Sequence, residues 1–146
     1  EFCVNNGVPV QKRPEELSKD NIEKMDVIKH ATKKLMDDGY NPDIVVSLQS
    51  NSPEFKAVDL DNAVDFFLKE LYDKYPICEV ISINPDMLQN ACFRIMTTKT
   101  VFQKTLSIHV GVCMTDYIDV HNIEDVREVE KRLMNEKSKN MNTNEN

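Results

Sequence analysis

Two hydrophobic periods alternate along the first half of the chain. Between Asp20 and Asp38, Ile22, Met25, Ile28, Ala31, Thr32 and Leu35 recur at helical spacing. Asp20 is a suitable N-cap, Gly39 a suitable stop, and Pro42 forbids continuation, so a helix is predicted over 20–38. Ile44, Val45 and Val46 are then apolar on successive positions, not alternating ones. Such a run through Leu48 predicts a strand covered on both faces, as in a parallel sheet between helices. Leu60, Ala63, Val64, Phe67, Leu68 and Leu71 mark a second helix, from Asp59 to about Lys74, ended by Pro76. Val80–Ile83 reads as the next strand, and Val8 and Val10 around Pro9 as a short edge strand ahead of everything. The order β-α-β-α-β predicts a layered α/β sheet.

The pattern changes after Pro85. Ala91–Met96 predicts a strand, Thr98–Lys104 a helical turn, and Leu106–Cys113 and Tyr117–Val120 two further strands. Asn122 caps a last helix with Asp125 three residues on, and Ile123, Val126, Val129 and Leu133 form its inner face. One domain is expected over 1–136, followed by a polar, disordered tail over 137–146.

Ligands of open α/β sheets bind outside the carboxyl ends of the strands. That draws attention to Gln49, Asn51 and Ser52, whose amide and hydroxyl groups both donate and accept. The same groups also serve ordinary loops by satisfying local backbone. Asp119 and His121, two residues apart, share one face of an extended segment. They could hold a divalent ion or simply pair with each other. Arg13, fixed ahead of Pro14, is a candidate anion clamp or a surface salt-bridge partner. Asn90, Arg94 and Lys104 are polar positions in a strand-like region, suited to a site or to a solvated face.

A formal net charge of -7 argues against nucleic-acid and anionic-membrane partners, which rely on basic surface. No apolar stretch reaches the ~20 residues a membrane span needs. Cys3, Cys78, Cys92 and Cys113 form no C-x-x-C pair, and three of them lie in or beside apolar runs. Buried reduced thiols, and so a reducing, cytoplasmic compartment, are expected. Only three glycines occur, and none forms a phosphate-cradling loop.

In order, Arg13-Pro14-x-x-Leu17-x-x-Asp20, the run Val27 to Ala31, Pro42 to Pro53 with its Leu48-Gln49-x-Asn51-Ser52-Pro53, and Ile118-Asp119-x-x-x-x-Glu124-Asp125 resemble the acylneuraminate cytidylyltransferase family. The resemblance implies a Rossmann-like nucleotidyltransferase fold, with helices on both faces of the sheet and the first β-α unit missing. It implies transfer of CMP from CTP to an acidic, sialic acid-like sugar, with release of pyrophosphate and Mg²⁺ as cofactor. By position, Gln49 would contact sugar or nucleotide, Arg13 would lie near the nucleotide, Asn90 would face the sugar, and Asp119 would bind the metal. His121 stands where the family carries a second metal-binding aspartate. The family's dimers make a homodimer an expectation. Because the phosphate loop is missing, this chain is expected to be inactive alone. Two alternatives are a non-catalytic sugar- or nucleotide-binding relative and a nucleotidyltransferase of another sugar.

Overall fold

A computed structural model describes residues 2–143. The helices are α1 (Phe2–Asn5), α2 (Lys24–Asp37), α3 (Ala57–Phe67), α4 (Thr98–Phe102) and α5 (Ile123–Thr143). The strands are β1 (Ile44–Leu48), β2 (Glu79–Ile83), β3 (Gln89–Thr97) and β4 (Val110–Met114). They form one sheet in the order β1-β3-β2-β4. β3 is antiparallel to both neighbours, and β4 is parallel to β2. β1, β2 and β4 therefore point one way, with β3 reversed between them. This is an α/β layered sheet compatible with a Rossmann-like fold.

The sheet is packed on both faces. On one, Ala63 and Phe67 of α3 meet Val80, Phe93 and Ile95, and Phe55 stands edge-on to Phe93 and Tyr117. On the other, Ile28 of α2 and Val101 of α4 enclose Met96, with Met25 and Val45 beside them. β1 differs from the expectation of a strand buried on both faces in a parallel sheet. It is an edge strand, antiparallel to its neighbour, with Val46 40% and Leu48 51% exposed. β-branching suits the pleat whether or not both faces are covered, so composition alone overstated its burial.

Several boundaries also move. Val8–Val10 forms no strand, and α1 precedes it. α2 starts at Lys24, not Asp20, because a 3-10 turn at Glu15–Leu17 and a turn through Asn21 occupy the chain before the extended Glu23. Its end is as expected. Gly39 has φ +93°, Tyr40 N–H donates to Leu35 carbonyl at 2.9 Å, and Gly39 N–H donates to Met36 carbonyl at 3.0 Å, closing a Schellman motif. Tyr117–Val120 is extended but joins no sheet. α5 runs to Thr143, past Glu136 where a disordered tail was expected; Lys137, Lys139 and Met141 carry helical propensity although no apolar stripe continues. Residues 144–146 of that tail lie outside the described residues.

Candidate functional site

One end of the sheet gathers most of the residues singled out by the sequence. β1, β2 and β4 deliver their carboxyl ends there, and β3 begins there. The loop after β1 carries Gln49, Asn51 and Ser52; the start of β3 carries Asn90; the segment after β4 carries Asp119 and His121.

These segments are laced together by backbone groups. Gln49 N–H donates to Cys92 carbonyl at 3.0 Å, extending the β1–β3 ladder by one residue. Val120 N–H donates to Asn51 carbonyl at 2.9 Å, and the Asn51 amide returns to Val120 carbonyl at 3.5 Å. Glu54 accepts Ile118 N–H at 2.8 Å, and Tyr117 hydroxyl donates to Asp59. The Tyr117–Val120 segment is thus a strap bonded to the β1 loop, which explains its strand-like sequence outside any sheet. Ser52 is buried, and burial pushes the pKa of the nearby Cys92 thiol up.

Asn90 is committed to the scaffold. Its Nδ2 donates to the carbonyl and hydroxyl of Thr115, at 3.2 and 2.7 Å, and its Oδ1 accepts Cys92 N–H at 3.4 Å. It ties the start of β3 to the chain leaving β4. The Gln49 side chain, half-buried after β1, has no hydrogen bond among the described residues.

His121 Nε2 lies 2.9 Å from Asp119 Oδ2. Asp119 Oδ1 is buried and has no hydrogen-bond partner among the described residues. Asp125 is used otherwise. Its Oδ2 accepts the N–H groups of His121 and Asn122 at 2.8 and 3.1 Å, and its own N–H donates to Asn122 Oδ1 at 3.0 Å. This is the expected capping box of α5.

Two basic groups lie on the α2 face of the sheet. Arg94 on β3 pairs through Nε with buried Glu79 on β2, and its Nη1 reaches Met25 Sδ at 3.2 Å. Partial removal from water lowers the Lys24 pKa; Arg94 lowers it further and Asp119 opposes both. Glu79 was missed because a diagonal pair across β2 and β3 exists only once their register is set. Lys104 lies with Arg94 and Lys29 along a separate cleft between α2 and the chain after α4.

Arg13 is not brought to the site. It is exposed, and its Nη1 donates to Leu17 carbonyl at 3.4 Å. Its neighbours Lys12 and Pro14 share a surface cavity with His30, Lys34 and Asp38, toward the far end of α2. A proline-fixed loop held the arginine in place, but beside the wrong half of the helix.

The donor set does not fit Mg²⁺. Among the described residues, no three His, Cys, Asp or Glu side chains gather as ligands. Mg²⁺ demands a near-octahedral oxygen shell at about 2.0–2.1 Å and keeps several waters. Here one carboxylate oxygen is held by an imidazole and the other is sealed from solvent.

No protein-family model matches the chain, and no curated protein matches it. Among the described residues no helix is long and apolar enough to cross a membrane.

Proposed function

We propose that this chain forms the sugar-facing side of a cytidylyltransferase. The reaction would join CMP, from CTP, to an acidic, sialic acid-like sugar and release pyrophosphate. One observation carries the reading: the Gln49–Pro53 loop, Asn90 and the Asp119–His121 segment, far apart in sequence, converge on the carboxyl edge of one α/β sheet. That edge is where such sheets bind ligands. Gln49 offers an unbonded amide at that edge, suited to sugar hydroxyls. Lys24 brings positive charge suited to a carboxylate or phosphate, whereas Arg94 is already paired with Glu79.

Transfer to phosphorus asks the protein mainly to position the reactants and absorb charge. This chain holds no Gly-rich phosphate cradle, so we propose that it binds substrate but does not turn it over alone. Free cysteines at 3, 78, 92 and 113 fit a cytoplasmic setting.

The second reading, a non-catalytic sugar- or nucleotide-binding relative, is favoured by one observation: Asp119 is already occupied by His121. The test is pyrophosphate release with CTP, Mg²⁺ and a panel of acidic sugars, beside calorimetry with each ligand. Binding without turnover is the expected result. Robust turnover would contradict the proposed inactivity, and no binding of any of them would remove the cytidylyltransferase reading.

A further inference from the structure

The sheet edge at β1 is bare in two layers at once. The bonds that bracket the strand, from Thr98 N–H to Asp43 carbonyl and from Gln49 N–H to Cys92 carbonyl, both at 3.0 Å, turn its odd-numbered residues to β3. Ile44, Val46 and Leu48 therefore keep N–H and C=O groups spare on the outer side. Above them, Ile28 of α2 packs with Val45 of β1 and Met96 of β3, so the helix sits over that strand pair. On its flank, Val27, Ala31 and Leu35 line a groove with Val46 and Ser47. An extended peptide would pair with the strand and leave this flank uncovered. Covering both takes a strand and a helix at the same spacing, and the β1 edge of a second copy has that form.

A two-fold axis perpendicular to the sheet joins two such edges as antiparallel strands. Centred on Val46, it sets Val46 against itself and Ile44 against the partner's Leu48, and every spare group of the three residues is paired. Centred on Val45, it would need Pro42, which has no N–H. No like charges meet: Ile44–Leu48 holds none, and Asp43 falls opposite the partner's Gln49. Strands lie about 4.8 Å apart, and a helix over β1 and β3 stands half that spacing inside β1. The two copies of α2 thus come about 10 Å apart on one face, an ordinary packing distance for helices. α2 has 14 residues and spans about 21 Å. A face of that length, one helix and one sheet deep, is at the small end of specific interfaces, so the pair is reversible.

We propose that β1 and the Val27–Leu35 flank of α2 form the interface of a two-fold dimer, in which the two four-stranded sheets run on as one. There the apolar run Ile44–Val46, which reads as a doubly covered strand, gains the cover that one copy lacks. The inference rests on the ladder and the groove, not on the cytidylyltransferase reading.

The first measurement is disulfide capture in a Cys3→Ser background, where the remaining thiols are buried or half-buried. Hydrogen-bonded antiparallel partners have Cα atoms about 5.5 Å apart, within disulfide reach. Val46→Cys, at an exposed position, gives a disulfide-linked dimer in air, whereas Val112→Cys on the exposed β4 edge stays monomeric. A monomeric Val46→Cys, or equal capture through Val112→Cys, overturns the proposal. The second measurement is sedimentation equilibrium, in which the native chain shows a reversible monomer–dimer equilibrium. Ala31→Glu keeps helix propensity and every strand group but sets a charge against the other copy, so the dissociation constant rises at least about tenfold. A native chain that stays monomeric, or that grows past the dimer, overturns the proposal. An unchanged constant in Ala31→Glu means that the strand alone is covered, and overturns the two-layer dimer.

Discussion

Single positions show how little freedom the packed face allows. A Cβ on Gly111 would stand 2.5 Å from Phe66 Cε1, 3.0 Å from Leu71 Cδ1 and 3.1 Å from Val80 Cγ2. The glycine lets α3 and the turn after it settle onto β4. Gly111→Ala therefore costs about 1–3 kcal/mol, read as a lower urea midpoint; an unchanged midpoint would mean that Phe66 swings clear. The cysteines behave as the apolar runs around them suggested. Cys78 and Cys92 are buried, Cys113 is half-buried and Cys3 is exposed. Burial pushes the thiols of Cys78, Cys92 and Cys113 up. Thiolate is the reactive form, so iodoacetamide labels Cys3 first and reaches Cys78 and Cys92 only on unfolding. The same shifts set a pH dependence. The folded chain holds these protons after the unfolded chain has lost them. Stability is therefore flat below the ordinary thiol pKa of about 8.5 and falls as pH rises above it. Urea melts from about pH 7 to about pH 10 check this, and a rise across that range would reverse the sign.

At the scale of elements, what could be read depended on whether the signal was local. The Schellman end of α2 and the capping box of α5 each involve a few neighbouring residues, and both were legible. The β2–β3 hairpin was not. Its turn places Met87, not a glycine, at φ +65°, so the usual hairpin marker is absent. Without that hairpin, the antiparallel β3 inserted beside β2 could not be foreseen, nor could the ion pair of Glu79 with Arg94. α4 shows a longer-range device. Thr97 caps it by accepting Thr100 N–H at 3.1 Å. Thr100 Oγ1 accepts Cys78 N–H at 3.0 Å and lies 2.9 Å from Cys78 carbonyl, all in a buried setting. One hydroxyl thus clasps α4 to the residue that leads into β2. Thr100→Val keeps the shape but strands the Cys78 amide, costing about 1–3 kcal/mol. Thr100→Ser keeps the bonds and recovers most of that loss. Equal melting temperatures for the two variants would show that packing, not the hydroxyl, holds α4.

The whole molecule is a narrow sheet with two open edges, and that is the property its strand signals concealed. An unbroken β-branched run reads as a central strand, yet β1 lies at one edge and β4 at the other. The ladder fixes which backbone groups are spare. Thr98 N–H donates to Asp43 carbonyl and Gln49 N–H to Cys92 carbonyl, so in an antiparallel pair the odd-numbered residues of β1 face β3. Ile44, Val46 and Leu48 turn their N–H and C=O groups outward. No proline or lysine interrupts Ile44–Leu48, and β1 pairs with β3 without a register shift, so the usual protections of an edge are missing. A groove of about 380 Å³ lined by Val27, Ala31, Leu35 and Tyr40 runs beside it. On β4, Val110, Val112 and Met114 are exposed as well. Edges of this kind associate. Sedimentation velocity is expected to show concentration-dependent growth that Val46→Lys reduces, since a lysine at this exposed edge repels a second strand. Val112→Lys tests the other edge in the same way. If Val46→Lys alone restores a single species, β1 is the associating edge. If neither substitution changes the sedimentation profile, the open edges do not govern association and the exposed apolar side chains elsewhere must.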